Sequence, residues 1–252
     1  MTRVRTARDR LGPRASLAMM GWLTVVLWLD RAGGGSGLWQ QRGLGLLTWT
    51  VLVVAVLRMS PLVRAQTAVV VAFATVVEYV ASPILHVYEY RFDNVPTYVP
   101  PGHGLVYLSA FALGHAAFVQ RRMRWAEATV LMVGGAWAAY GVVLADRPDV
   151  LGAFWFGCLA LFLAFGPSKA VYVGAFVVVS WLELLGTQLG TWVWGEVDFT
   201  GRFSIGNPPS GAAGGYGWFD LAALLLAPRL VRVFSRRPAP EQAPPAQAAD
   251  VR

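Results

Sequence analysis

Long apolar segments separated by short polar ones dominate the pattern of the chain. A helix needs about 20 apolar residues to cross roughly 30 Å of hydrocarbon. Eight segments approach or reach that length, of which the second, fourth and eighth are short: 16–32, 43–58, 66–87, 103–119, 125–145, 149–166, 169–192 and 213–230. The pattern therefore predicts an all-α, polytopic integral membrane protein with about eight transmembrane helices.

The composition agrees with this prediction. Of the 252 residues, 56% are hydrophobic and 14% are charged, whereas a soluble globular domain has about 25% charged residues. The basic N-terminal segment 1–15 precedes an apolar run with no small-residue cleavage site, so we predict a retained first helix and no cleaved signal peptide. Segment 233–252, rich in proline and alanine, is predicted to be a disordered cytoplasmic tail.

The basic residues predict the orientation of the helices. Arginine and lysine collect on the cytoplasmic side of membrane proteins; with the N-terminus inside, 16 of the 21 fall on that side and 5 on the other. We therefore expect a bacterial inner (cytoplasmic) membrane protein with both termini in the cytoplasm, and the 20 arginines against one lysine suggest a GC-rich genome. This asymmetry accounts for the net charge of +7, which favours anionic lipid headgroups over nucleic acid as a partner.

Three short patterns recur in the same order in the two halves of the chain. The matched positions are Asp30 and Asp146, Glu78 and Glu183, and Tyr107 and Tyr216. Each aspartate precedes a tryptophan by nine residues, each glutamate lies inside an apolar run, and each tyrosine follows a proline pair. The recurrence predicts two parallel four-helix repeats, 16–122 and 123–232, related by an axis near the membrane normal.

The two glutamates inside apolar runs are the strongest candidates for chemistry, because an ionisable group within a membrane span is costly and by default functional. A hydroxyl side chain lies one helical turn from each, Ser82 after Glu78 and Thr187 after Glu183. We predict that both carboxyl groups are catalytic and face one internal cavity, with the hydroxyls binding substrate. The alternative is a helix-packing face, because segment 186–190 contains two glycines spaced for helix association.

Other polar residues extend the candidate site. Asp220 is a third acid inside an apolar run, and it either completes the catalytic group or accepts a hydrogen bond from a neighbouring helix. His86 and His103 are expected at one outer vestibule, the second of them in a proline loop that covers the cavity. Asn207 precedes the second proline segment and is expected to cap its turn. Because a lone histidine is more often a satisfied polar contact than a ligand, we predict neither a metal nor a cofactor.

Aromatic pairs follow each glutamate, Tyr88 and Tyr90 in the first half and Trp192 and Trp194 in the second. Such residues are common at membrane interfaces, which is one explanation for them. The other is that their rings face the cavity, where aromatic π faces stabilise a cation. The tyrosines that follow the proline pairs are assigned to the same substrate-binding set.

The order of a glutamate, an aromatic pair and a proline-containing loop resembles the carotenoid biosynthesis membrane family. That family includes the carotenoid hydratases and, more remotely, the small membrane lycopene cyclases. The residues that carry the resemblance are Glu78, Tyr88, Tyr90, Val95, Pro96, Val99 and Pro100, then Glu183, Gly186, Gly190, Trp192 and Trp194. The resemblance implies an enzyme without a cofactor that acts on an isoprenoid or other lipid.

The chemistry that the resemblance implies is protonation of a C=C bond by a carboxylic acid. Desolvation in a dry cavity disfavours the charged form of such an acid, so it keeps its proton at neutral pH. Glu78 or Glu183 would donate the proton, and the other would act as base or counter-ion to the carbocation. Hydratase, cyclase and isomerase activities differ only in what quenches that cation.

Two other classes of protein remain open. A non-catalytic carrier or binding protein for a lipid or small molecule also suits a duplicated chain with acids at mid-membrane. A metal-dependent lipid hydrolase is the second alternative, because Ser82 and His86 are spaced as in the alkaline ceramidase and adiponectin-receptor superfamily. The histidine pair expected near the C-terminus of that superfamily is missing from the sequence. Neither the substrate nor the oligomeric state is predicted.

Overall fold

The computed structural model of the protein describes residues 11–234, and within that range the chain forms nine helices and two short strands. The helices are α1 (Pro13–Leu29), α2 (Leu38–Leu57), α3 (Pro61–Ala81), α4 (Val99–Gly114), α5 (Ala117–Arg121), α6 (Met123–Val143), α7 (Val150–Phe165), α8 (Lys169–Gln188) and α9 (Ala212–Phe234). The strands are β1 (Tyr88–Tyr90) and β2 (Trp192–Trp194). The mostly helical fold is confirmed, and the purely α-helical class is corrected by the two strands. Most of segments 1–15 and 233–252 lies outside the described residues.

Four of these helices, α2, α3, α6 and α8, are long and apolar enough to cross a membrane. Helices α1 and α7 are also apolar but have only 17 and 16 residues. Large apolar side chains cover the outside of the long helices, with Trp125 and Met132 on α6 exposed by 76% and 69%. A soluble protein rarely exposes such a surface, whereas a lipid-facing helix requires it. The chain therefore has the character of a multi-pass membrane protein.

The first proline segment is helical, which corrects the predicted loop. Helix α4 begins at Val99, so Pro100 and Pro101 lie in its first turn and His103 follows within the helix. Proline suits this position because the first amide groups of a helix have no intrahelical partner and its φ angle is already helical. In the second half, Pro208 and Pro209 do precede α9, which begins at Ala212.

The centre of the fold consists of two close helix pairs, in which α3 packs on α9 and α4 packs on α8. Glycines make the second pair possible. A Cβ atom at Gly114 would collide with the backbone of Ala170, and one at Gly174 would collide with the backbone of Ala110. Close backbone approach at small residues is typical of helix association in membranes. Helix α4 is thereby buried over almost its whole length.

The two strands pair with each other in antiparallel orientation. The register joins Tyr88 to Trp194, Glu89 to Val193 and Tyr90 to Trp192. Side chains alternate between the two faces of a strand, so all four aromatic rings share one buried face while Glu89 and Val193 are exposed. These four residues are only 6 to 8% exposed. Their side chains therefore do not face the membrane interface, which was one of the two explanations considered from the sequence.

A buried aspartate forms hydrogen bonds with residues near the starts of α2 and α4. Asp30, at the end of α1, accepts hydrogen bonds from Gln41 at 2.9 Å, Tyr98 at 2.7 Å and Arg91 at 2.8 Å. Burial, together with the Asp30 charge and this hydrogen bond, raises the pKa of the Tyr98 phenol well above its usual value. The phenol therefore stays neutral and donates a hydrogen bond to Asp30. This network holds the first turn of α4 in place.

A second buried aspartate, Asp149, connects the start of α7 to the loop before α9. Asp149 caps α7 by accepting from the amide of Gly152 at 3.0 Å, and it also accepts from the amides of Gly206 at 2.8 Å and Ser210 at 2.6 Å. Asp146 is exposed. The spacing to a tryptophan therefore pairs the buried Asp30 with an exposed residue.

Candidate functional site

A cavity of about 540 Å³ lies where the central helices meet the two strands. Its wall is mostly apolar, and eight of the residues predicted for the site line it. They are Glu78, Glu183, Tyr88, Tyr90, His103, Trp192, Trp194 and Tyr216. The volume falls within the range of about 300–1,000 Å³ that is usual for small-molecule sites. The prediction that both glutamates face one internal cavity agrees with this placement.

Glu78 is surrounded by hydrogen-bond donors. Its Oε2 accepts from the hydroxyl groups of Tyr88 and Tyr90, each at 2.9 Å, and its Oε1 lies 2.7 Å from Nε2 of His103. We assign a proton to this Nε2, because a carboxylate can only accept. Three donors converge on one carboxyl group that is 5% exposed. Such an arrangement stabilises its ionised form.

Glu183 has a different set of partners. The indole N–H groups of Trp192 and Trp194 both donate to its Oε2, each at 3.0 Å. An indole N–H cannot accept, so Oε2 is occupied as an acceptor and a proton on Glu183 can reside only on Oε1. The nearest partner of Oε1 is the hydroxyl of Tyr216, at the long distance of 3.5 Å. Oε1 is therefore the less restrained of the two oxygens.

Aromatic contacts join the two carboxyl groups into one site. The ring of Tyr88 lies 4.6 Å from the ring of Trp194, and the ring of His103 stacks on that of Tyr216 at 5.1 Å. Each contact connects a partner of Glu78 to a partner of Glu183. The two carboxyl groups line the same cavity. The site is therefore a pair of acids within a continuous aromatic wall.

The glycine of α8 nearest to the site makes room for an aromatic ring. A Cβ atom at Gly186 would collide with the ring of Trp192. Gly190 lies beyond the end of α8 and has a φ angle of +64°, which favours glycine. The helix-packing explanation for these two glycines is therefore wrong. Gly186 instead allows the indole to fold back along the helix and reach Glu183.

Six predicted site residues do not line the cavity: Ser82, His86, Tyr107, Thr187, Asn207 and Asp220. The Thr187 hydroxyl donates to the backbone carbonyl of Glu183, as hydroxyl residues in helices often do. His86 lies 3.4 Å from Glu89 in an exposed pair on the outer side of β1. Asn207 accepts from the amide of Trp194 and so supports the strand without reaching the cavity.

Several residues that line the cavity were not predicted from the sequence. Phe73, Phe199 and Trp218 line the cavity and are also 38%, 65% and 48% exposed, so the wall reaches the protein surface at these rings. Phe219 contacts Phe73 at 5.3 Å and His103 at 5.6 Å. Single aromatic residues in apolar runs look alike in sequence whether they face lipid or a cavity. Only the packing of α9 against α3 distinguishes them.

Within residues 11–234, no group of three or more His, Cys, Asp or Glu side chains is arranged to hold a metal ion. Ser82 and His86, which suggested the hydrolase alternative, lie away from the cavity. Comparisons of the chain with protein-family models, with curated proteins and with solved structures found no match. The function is therefore argued from the site itself.

Proposed function

We propose that this protein is a membrane-embedded enzyme that protonates a C=C bond of an isoprenoid or other lipid, in the manner of a hydratase, cyclase or isomerase. One observation carries the proposal: two buried carboxyl groups from different helices face a single apolar cavity walled by aromatic rings. An acid, a counter-ion and ring faces for a cation are the groups that such a reaction needs. The proposed kinship with the carotenoid biosynthesis membrane family rests only on the residues described above.

The two glutamates differ in a way that suggests their roles. Glu78 accepts from three donors, so it is suited to remain a carboxylate opposite a developing positive charge. Glu183 has one oxygen bound by two indoles and a second oxygen with one distant partner. We therefore assign Glu183 as the proton donor, acting through Oε1, and Glu78 as the counter-ion and base.

The reaction begins when Oε1 of Glu183 transfers its proton to the less substituted carbon of the double bond. The other carbon becomes a tertiary carbocation, which lies between the ring faces of the aromatic wall and the Glu78 carboxylate. In hydration, water adds to this carbon and its surplus proton passes to a carboxylate. In isomerisation, a C–H proton next to the cation passes to the carboxylate and a new C=C bond forms. In cyclisation, a second C=C bond of the substrate first attacks the cation, which forms the ring C–C bond and a new carbocation, and that carbocation then loses a C–H proton to the carboxylate. Each route gives one proton back to the pair of carboxyl groups, and transfer of that proton to Oε1 of Glu183 restores the starting state.

The membrane topology is part of the proposal. Each half would insert four helices into the membrane. The eight spans would be α1, the four long helices α2, α3, α6 and α8, and the helices α4, α7 and α9. The central pairs are compatible with two parallel repeats, since α3 meets α9 as α8 meets α4. With both termini in the cytoplasm of a bacterial inner membrane, the strands and the cavity lie toward the outer leaflet. Substrate would enter from the lipid at the exposed rings of Phe73 and Trp218.

The decisive experiment compares lipid extracts from a bacterial host that makes isoprenoids, with and without the full-length chain. Liquid chromatography and mass spectrometry would detect a product one water heavier than its precursor, or an isomer of equal mass with altered retention. Glu183→Gln should abolish that product. Glu89→Gln is the matched control, because Glu89 lies on the outer face of β1 and its side chain is 61% exposed.

The carrier alternative makes a different prediction for the same experiment. A carrier would co-purify with an unchanged lipid, and the lipid extract of the host would contain no new compound. The apolar cavity suits this function as well, because it would bind a lipid without reacting with it. Metal content of the purified protein separates the hydrolase alternative from both.

A further inference from the structure

Arg147, in the loop between α6 and α7, has no role in the proposed reaction, yet it binds the end of β2. The residue is half-buried. Its guanidinium donates to the backbone carbonyl of Trp194 at 2.8 Å and also to the carbonyls of Gly195 and Ile205. Among the residues that the structure describes, no acidic side chain forms an ion pair with Arg147. The donors of this arginine are therefore directed to the backbone of β2 and of the segment that follows it.

The hydrogen-bond pattern of the sheet leaves Trp194 in need of such partners. The amide of Gly195 donates across the sheet to the carbonyl of Val87. Because the backbone groups of an antiparallel strand point alternately toward and away from the partner strand, the amide and the carbonyl of the preceding Trp194 point away from β1. The amide donates to Oδ1 of Asn207 at 3.2 Å, and the carbonyl accepts from Arg147. Side chains from two different loops thus hold both backbone groups of Trp194.

The residue that is held in this way is one that reaches Glu183. The side chain of Trp194 lies on the buried face of the strand, and its Nε1 donates to Oε2 of Glu183 at 3.0 Å. Its ring is flanked by Tyr88 at 4.6 Å and Trp155 at 5.7 Å. A hydrogen bond weakens steeply when its angle falls below about 120°, so the indole N–H stays on Glu183 only while the strand keeps its position. Arg147 is thus connected to Glu183 through a single residue.

The end of β1 is held in a related way. Arg91 directly follows β1, and its guanidinium donates to the Asp30 carboxylate at 2.8 Å and to the backbone carbonyl of Arg31 at 3.1 Å. An aspartate followed by an arginine recurs in the sequence after α1 and after α6, as Asp30 with Arg31 and as Asp146 with Arg147. The recurring pair therefore contacts the end of one strand in each half, through both of its residues in the first half and through its arginine in the second.

We propose that Arg147 is a positioning residue, which keeps the indole N–H of Trp194 on Oε2 of Glu183 and so confines the reactive proton to Oε1. A carboxyl oxygen has two acceptor positions, and the two indoles occupy those of Oε2. Loss of the Trp194 hydrogen bond would free one position, so the proton could reside on Oε2, where the proposed reaction does not use it. This inference rests on the proposed function, which assigns Glu183 as the proton donor.

Arginine suits this position better than lysine does. Its planar guanidinium carries five N–H donors in a fixed fork, which allows one side chain to bind three carbonyls at once. Lysine has a single ammonium group on a flexible stem. Arg147→Lys should therefore keep the positive charge but bind fewer of the carbonyls, and Arg147→Gln should lose the charge as well.

The first test is ¹⁵N NMR of the full-length protein in detergent micelles, labelled at its 11 tryptophans. Trp194→Phe assigns the Nε1–H signal of Trp194. Arg147→Gln should shift that signal toward the position of an indole without a carboxylate partner, and Arg147→Lys should shift it less. Because Arg147→Lys is the milder change, it decides the test if Arg147→Gln does not fold.

Arg202→Gln is the matched control for this test. Arg202 also lies in the segment between β2 and α9, and it is exposed. Its substitution should leave the Trp194 signal in place. A Trp194 signal that also stays in place in the folded Arg147 variants would overturn the proposal.

The second test measures product formation per folded protein, with the folded fraction taken from gel filtration. A misplacement of about 1 Å costs about 10²-fold in rate, so Arg147→Gln should lower kcat by about 10- to 100-fold and change KM little. Arg202→Gln should match the unmodified protein. A shifted Trp194 signal with unchanged kcat would overturn the proposal, because the hold on β2 would then not serve the reaction. If the unmodified chain forms no product, the proposed function fails, and the NMR test still decides whether Arg147 positions Trp194.

Discussion

Tyr88 lies directly opposite Trp194 across the two-stranded sheet, and each of the two side chains donates a hydrogen bond to a different buried glutamate. The tyrosine follows Glu78 by 10 residues and the tryptophan follows Glu183 by 11. Each strand thus supplies partners to the glutamate of the helix before it. Pairing of the strands brings both sets of partners onto one wall.

Replacing either glutamate should remove activity and leave the fold intact. Glu183→Gln removes the proposed proton donor, so we expect product formation to fall by about 10²-fold or more. Glu78→Gln removes the proposed counter-ion and should have a similar effect on turnover. Membrane insertion and the helical content by circular dichroism should match those of the unmodified protein. Wild-type product levels in both variants would exclude the glutamates from catalysis.

Gly186→Ala should displace the ring of Trp192. The added methyl group collides with the indole, and overpacking of this kind costs about 1–3 kcal/mol. We expect a lower unfolding temperature in detergent and reduced product formation, because Glu183 loses a donor.

Gly157→Ala is the matched control for this substitution. A Cβ atom at Gly157, on α7, meets nothing within 4 Å, so this change should be neutral or slightly stabilising. Equal unfolding temperatures for the two variants would mean that the Trp192 ring is not held against α8 as described.

Asp30→Asn should destabilise the protein by leaving Arg91 without its buried partner. Their side chains are 0% and 13% exposed and 2.8 Å apart, and breaking a buried ion pair costs about 3–5 kcal/mol. The comparison is Lys169→Gln, which breaks an ion pair with Glu127 in which the lysine is 47% exposed. Such pairs contribute about 0–1 kcal/mol. Chemical unfolding of both variants in mixed micelles measures the difference.

An amine analogue of the carbocation should bind more tightly than the uncharged substrate. A dimethylalkylamine carries its positive charge where the tertiary carbon would stand, between the ring faces and Glu78. Analogues of a transition state bind at least about 10²-fold more tightly than substrates, so the amine should inhibit product formation well below the concentration of an alkane of equal length. Equal inhibition by the amine and the alkane would indicate that no cation forms in the cavity.

The position of the two acids was predictable from the sequence for a simple physical reason. A carboxyl group that faces lipid is costly, so Glu78 and Glu183 had to point into the protein wherever the helices packed. The two glutamates lie between the same short patterns in the two halves of the chain, which predicted that they face a common cavity. The long apolar runs predicted helices for the same reason, because only a helix satisfies its own backbone groups in a membrane.

Other assignments failed because they depend on distant parts of the chain. Asp30 and Asp146 match in sequence, but Asp146 is exposed, and the buried aspartate nearby is Asp149, which accepts hydrogen bonds from amide groups more than 50 residues later. The alternation of Tyr88 and Tyr90 around an exposed residue is a signal for a strand. A strand of three residues forms only with a partner, and the residue opposite Glu89 is Val193, 104 residues later.

The sequence by itself determined that the chain is helical and apolar, that two acids lie within its core, and that aromatic residues follow each acid. These properties depend on local composition and on the cost of burying charge. The tertiary structure alone decided which donors meet which carboxyl oxygen, and it separated Asp220 from the cavity while joining His103 to Glu78. The contacts of His103 with Glu78 and of Tyr216 with Glu183 join different helices, and the approach of those helices depends on backbone packing at glycines such as Gly114 and Gly174.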